Sequence, residues 1–155
     1  MKNLQDYLVQ DGQEQMSVLG KHMDVNLIQP FINFIFAKSV EWNGEAITEW
    51  DFYEIGYSFI MIPKEEKIYR AKTAYEFVET DRITFGVALS IYCINHMAWM
   101  VSAQLEEEKD VVWKSRLESA VRSFSEQYYF VRDFVLEDDN CLEGLDISQM
   151  LNILD

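Results

Sequence analysis

The 155 residues contain only two cysteines, two histidines, two prolines and six glycines. Each scarcity removes a class of explanation. Cys93 and Cys141 are far apart and match no ligand spacing, so no disulfide framework is expected and a reducing cytoplasm suits the chain. His22 and His96 have no carboxylate or cysteine partners at metal-binding intervals, so no metal and no cofactor is expected. No serine sits in a Gly-x-Ser-x-Gly turn, and no glycine-rich loop is available to cradle phosphates. Positive charge is short as well: 13 basic residues face 27 acidic ones, for a formal net charge of −14. By thirds the balance is about −4, −2 and −8, so the excess is greatest toward the end of the chain. Such a surface repels nucleic-acid phosphates and anionic membranes, and attracts a basic protein surface. Solubility alone also accounts for acidity of this kind.

Apolar residues are plentiful, at 49%, with 14% aromatic. This supports a substantial core in a single domain spanning residues 1–155. The most distinctive stretch is residues 50–63. Two aromatic-rich runs flank Gly56, and Pro63 closes the second. Asp51 and Glu54 punctuate the first run, whereas the second has no charge. The pattern predicts a hairpin with one partly wetted strand and one buried strand. Residues 67–72 alternate charged with apolar side chains, and 75–79 offer a further strand.

Helical spacing marks the rest. Residues 4–19 form a weak amphipathic segment broken near Asp11 and Gly12, and 27–42 a firmer helix. Asp24 or Asn26 can cap the latter, and Pro30 is tolerable only in its first turn. Asp81 caps a helix over 82–105, whose stretch 83–101 lacks any Asp, Glu, Lys or Arg. That run is nearly long enough to span a bilayer, but Thr84, Ser90, Asn95 and His96 interrupt it, so a buried central helix is expected. Asp110 caps a second long helix with an apolar stripe at Val112, Trp113, Leu117, Ala120, Val121, Phe124, Tyr128, Val131 and Val135. Asp146 caps a short final helix over 147–154. The expected fold is α+β: a small antiparallel sheet of about three to four strands, packed with a long central helix, a second long amphipathic helix and shorter terminal helices.

No arrangement here has the geometry of catalysis. Asp51 and Glu54 are three apart on a strand and project to opposite faces, which argues against an acid–base pair made of these two. His96 shares an apolar helix with Asn95 and Trp99, where a partly buried structural histidine is the default. A hydrolase assembled from distant residues such as His96 and Glu54 would require one deep pocket holding both. Trp42, Trp50, Trp99 and Trp113 each fall in apolar patterns and are read as core or rim. The acidic groups Glu106, Glu107, Glu108 and Glu137, Asp138, Asp139, with Asp51 and Glu54, form the candidate interaction surface. Duplex DNA carries one charge per about 1.7 Å of axis, so a mimic needs carboxylates at similar density along an extended face.

Three segments resemble one family. Trp50-Asp51-Phe52-Tyr53-Glu54 followed by Phe59-x-Met61-x-Pro63 is similar to the hairpin of the ArdB/KlcA-type antirestriction proteins. Asp81, Gly86 and the run Asn95-His96-Met97-Ala98-Trp99 resemble that family's central helix. Tyr128-Tyr129-Phe130-Val131-Arg132-Asp133-Phe134 resembles a third family segment. Order and spacing also agree, over roughly residues 16–155. The family's Asn-Gly-Gly turn is Gly56-Tyr57-Ser58 here, and residues 137–146 form a longer, more acidic insertion. The resemblance implies an α+β cytoplasmic protein carried on mobile DNA. It would relieve type I restriction of incoming DNA through protein–protein contact, without catalysis. It implies no agreed active site. The expected partner is a protein, such as a type I restriction complex, with neither nucleic acid nor membrane bound directly. An exposed aromatic patch would leave room for a homodimer. The alternative function is an acidic DNA mimic that inhibits another DNA-binding enzyme.

Overall fold

The computed structural model describes residues 2–10, 12–137 and 142–155, with backbone only for 12–16. A 3-10 turn at Leu4–Tyr7 precedes α1 (Gly12–His22) and α2 (Val25–Asn43). Two hairpins follow: β1 (Trp50–Ile55) with β2 (Ser58–Pro63), then β3 (Tyr69–Lys72) with β4 (Phe77–Thr80). Helices α3 (Arg82–Glu107), α4 (Val111–Leu136) and α5 (Ile147–Leu154) complete the chain.

The helix boundaries follow from caps. Asp24, Asp81, Asp110 and Asp146 each accept a backbone N–H from the first turn, satisfying donors that a helix start would otherwise leave orphaned. Gly44, at φ 85°, closes α2 in the left-handed conformation that glycine adopts without a Cβ clash. α2 starts at Val25, which places Pro30 inside the helix rather than in its first turn. Pro30 is exposed, so the carbonyl it leaves without an N–H partner lies at the wet surface.

The strands do not join into one sheet. Each hairpin is a separate antiparallel pair, and the expected single sheet of about three to four strands is replaced by two. The edges of the first hairpin are already occupied. On the β1 side, Leu8 bridges Tyr53 and the Val9 amide donates to the Phe52 carbonyl at 2.9 Å. On the β2 side, α3 lies directly against the strand. The Ser90 hydroxyl accepts from the Met61 amide at 2.9 Å and lies 3.2 Å from the Met61 carbonyl. Gly86 permits this approach, because a Cβ there would sit 2.7 Å from Ile62 Cα. A side chain thus replaces the missing strand neighbour, meeting the demand of buried backbone groups for partners.

The β1–β2 turn has two residues, with Gly56 at φ 59° in its first position and no other positive φ, as in a type II′ turn. A Cβ at Gly56 would also lie 2.6 Å from the Phe130 ring. All of β2 is buried, and its Phe59 meets Phe31 edge-on. α3 is the core helix. It is long and apolar enough to cross a membrane, but 67% of its most apolar window is covered by the fold. A link of three residues folds α4 back along α3. The α4 stripe is buried at Leu117, Ala120, Phe124, Val131 and Val135, whereas Val112 stands exposed in its first turn.

Candidate functional site

The eight carboxylates proposed as one surface are dispersed. Asp138 and Asp139 lie outside the described residues. Asp51 points to the start of α3, 3.3 Å from Arg82, with Lys64 at 3.9 Å. Arg82 also donates to the Pro63 carbonyl. Glu54 takes the opposite direction, as the strand period requires, and meets His22 Nε2 at 2.8 Å and Lys21 at 3.8 Å. Glu108 accepts the Lys109 and Asp110 amides in the α3–α4 link. Glu137 pairs with Lys2 at 2.8 Å, and the buried Lys2 ammonium lies 4.2 Å from the centre of the Phe134 ring. Glu106 and Glu107 alone among the described six are exposed with no ion pair or hydrogen bond among the described residues. Glu108 and Glu137 flank α4, whose 26 residues place them about 39 Å apart. The arrangement therefore contains two unpaired carboxylates at one corner and several structural ion pairs elsewhere.

The two histidines also separate. His96 packs on Tyr92, with ring centroids 4.0 Å apart, and against Phe34. Burial, together with the Lys38 ammonium, holds its imidazole below the ordinary value. Glu54 is bound to His22 instead, so the pairing of His96 with Glu54 does not form. Burial pushes the Cys93 thiol far above its ordinary range, leaving it an inert core residue. Among the described residues no group of three or more His, Cys, Asp and Glu side chains converges as a metal site. Trp42 and Trp50 are buried, but Trp99 is 70% exposed, against the expectation of core or rim packing. α3 is apolar around its circumference. Met97, Ala98 and Val101 turn inward, and the helical period leaves Trp99 and Met100 outside.

Two depressions merit description. A shallow one of about 230 Å³ lies between α3 and α4, lined by Asn95, Ala98, Trp99, Tyr128 and Tyr129 among others. A larger cleft of about 690 Å³ runs between the α1–α2 junction, the β1–β2 turn and α4. Along α4 its lining includes Arg116, Ser119, Ser123, Glu126 and Phe130, steps of three and four that mark one flank of the helix. His22 and Met23 form the facing wall, with Tyr57 at one end.

The walls of this cleft are tied together. Ser58 donates to Gln127 Oε1 at 2.8 Å, and Gln127 Nε2 donates to the His22 carbonyl. Arg116 holds Asp24 through two bonds, at 2.7 and 2.9 Å, a bidentate fork. Burial pushes the Asp24 carboxyl up, but the Asn26 amide and the Arg116 guanidinium outweigh it and hold it below 3.8. In the sequence, Arg116 and Glu126 look like any solvated helix face. The nearest signal in the sequence is the rarity of histidine, which carries no information on the contact of His22 with α4. Comparisons of the chain with protein-family models, curated proteins and solved structures find no match.

Proposed function

We propose that this chain relieves type I restriction of incoming DNA by binding a protein in the cytoplasm, without catalysis. One observation carries the reading. The three segments that resemble antirestriction proteins are distant in sequence but neighbours in space: β2 packs on α3, and α3 on α4. Two of them meet at the shallow depression, where Trp99 and Tyr129 are 70% and 60% exposed. Exposed aromatic side chains in a cluster favour contact with another protein. The net charge of −14 favours approach to a basic partner and makes binding salt-sensitive.

The DNA-mimic alternative is less well supported. Asp51, Glu54 and Glu137 each lie within 4 Å of a cation of the same chain, Arg82, Lys21 and Lys2 respectively, and the acidic groups flanking α4 are separated by its whole length. This does not resemble the dense row of charge that a duplex presents.

The test is plating of unmodified phage on cells with an active type I system, with and without the protein. Restored plating is the expected result. Unchanged plating with soluble protein present would remove this function. If purified protein competes with duplex DNA for a DNA-binding enzyme, the mimic reading replaces it.

A further inference from the structure

The geometry points to the 690 Å³ cleft beside α4 as a binding site for a short extended peptide segment of a partner protein, with an apolar residue seated at the Tyr57–Phe130 end. This rests on the reading of the chain as a protein-binding inhibitor and adds a second contact, on a different flank of α4 from the Trp99–Tyr129 depression. The shape limits the occupant. From Arg116 to Phe130, α4 advances about 21 Å at 1.5 Å per residue. The cavity volume divided by that length gives a mean cross-section of roughly 33 Å². A helix with side chains, about 10–12 Å across, could not be enclosed along that length. A single extended chain fits, and at ~3.3 Å per residue the cleft holds about six residues.

Charge limits it further. Lys21 and Arg116 are matched by Asp24 and Glu126, so the lining is formally neutral in a molecule of net charge −14. A polyphosphate or a basic segment would find no complementary excess here. The available groups are neutral hydrogen-bonding ones, suited to the alternating N–H and C=O of a peptide backbone. Ser119 is exposed, and its hydroxyl makes no hydrogen bond among the described residues. The His22 ring is fixed beside the cleft by the 2.8 Å contact of its Nε2 with Glu54. The Ser58–Gln127–His22 chain of bonds holds the walls in place before a ligand arrives, which lowers the ordering cost of binding. At one end, Tyr57 is 78% exposed and meets Phe130 edge-on at 5.5 Å, forming an apolar seat.

The test selects a phage-displayed library of random hexapeptides on the immobilised full chain, then titrates the synthetic consensus peptide by fluorescence anisotropy. The expected peptides share one apolar or aromatic position and no net charge. Ser119→Trp, which fills the cleft from an exposed position, should weaken the consensus peptide by at least about tenfold. Tyr57→Ala should weaken it about threefold or more while leaving the circular dichroism unchanged. A double variant, Glu106→Gln with Glu107→Gln, should bind as the parent does. Three results would overturn the site: no enrichment above a bare support, equal binding by folded Ser119→Trp, or Lys/Arg-rich peptides that lose binding in the double variant. Plating separates this failure from that of the broader function. If the parent chain and Ser119→Trp both restore plating, the cleft is not the binding site although the function stands. If the parent does not restore plating, the broader function fails.

Discussion

β1–β2 and β3–β4 are both short antiparallel hairpins rich in aromatic residues, yet all six residues of β2 are buried while β4 buries only Thr80. β3 alternates strictly, with Tyr69 and Ala71 inside and Arg70 and Lys72 outside. The first hairpin is enclosed because α3 covers one edge through Ser90 and Gly86, and residues 8–9 cover the other. The second is anchored at its ends. Arg70 donates to the Trp42 carbonyl at 3.1 Å, and Gln149 of α5 donates to the Glu79 carbonyl at 2.8 Å. Its tip, Tyr75, is 98% exposed. Aromatic content therefore does not decide burial. What decides it is whether another element can approach the backbone closely enough to exclude water and still satisfy its polar groups.

Variants can sharpen that contrast. The largest effect is expected from Phe59→Ala in β2, a loss of about 3–5 kcal/mol, because a fully buried ring leaves a cavity. Phe77→Ala in β4 should lose less than about 1.5 kcal/mol, since that ring is half exposed. Urea unfolding of both proteins measures the difference, and equal midpoints would refute the distinction. Gly86→Val should follow, at about 1–3 kcal/mol or more, because the new Cβ meets Ile62 Cα and the Met61 carbonyl oxygen, neither of which can rotate away. Ser90→Ala should lose about 1–3 kcal/mol by leaving the buried Met61 amide without a partner. Faster hydrogen exchange at Met61 would identify the mechanism, and unchanged exchange would refute it.

Two smaller effects lie outside the first hairpin. The folded-state pKa of Asp24 is depressed. Its contribution is therefore complete above the unfolded value near 3.8 and is lost as pH falls through the lower folded value. Asp24→Asn should flatten the acid limb of a stability–pH curve in that window and weaken its salt dependence, as befits a solvent-screened pair. An unchanged limb would show the fork with Arg116 to be energetically silent. Last, Tyr75→Ser at the open tip should stay within about 0.5 kcal/mol of the parent. A larger loss would mean that the second hairpin is more enclosed than its exposure indicates.

Much of this fold could be read locally. Asp81, Asp110 and Asp146 are recognisable as caps, and Asp24 as one of two candidates with Asn26, because capping depends on neighbours a few residues away. The β1–β2 hairpin with its Gly56 turn was likewise legible, as was the contrast between a charge-punctuated strand and an uncharged one. The candidate surface was not. In the sequence Asp51, Glu54 and Glu137 look free to meet a partner, yet each lies beside a cation from elsewhere in the fold, Arg82, Lys21 and Lys2. Trp99 and Val112 fit apolar helical patterns in the sequence and yet are exposed.

Local chemistry thus sufficed for the α+β class, the helix starts and the turn, since these depend on backbone geometry and short-range hydrogen bonds. Only long-range packing decided that four strands would remain two pairs, that His22 rather than His96 would meet Glu54, and that a neutral cleft would open beside α4 in so acidic a molecule. Those outcomes turn on which surfaces come within contact of one another. Gly86 shows why such contacts are hard to read in advance: in sequence it is a gap in an apolar helix, and its role emerges only when β2 lies against it.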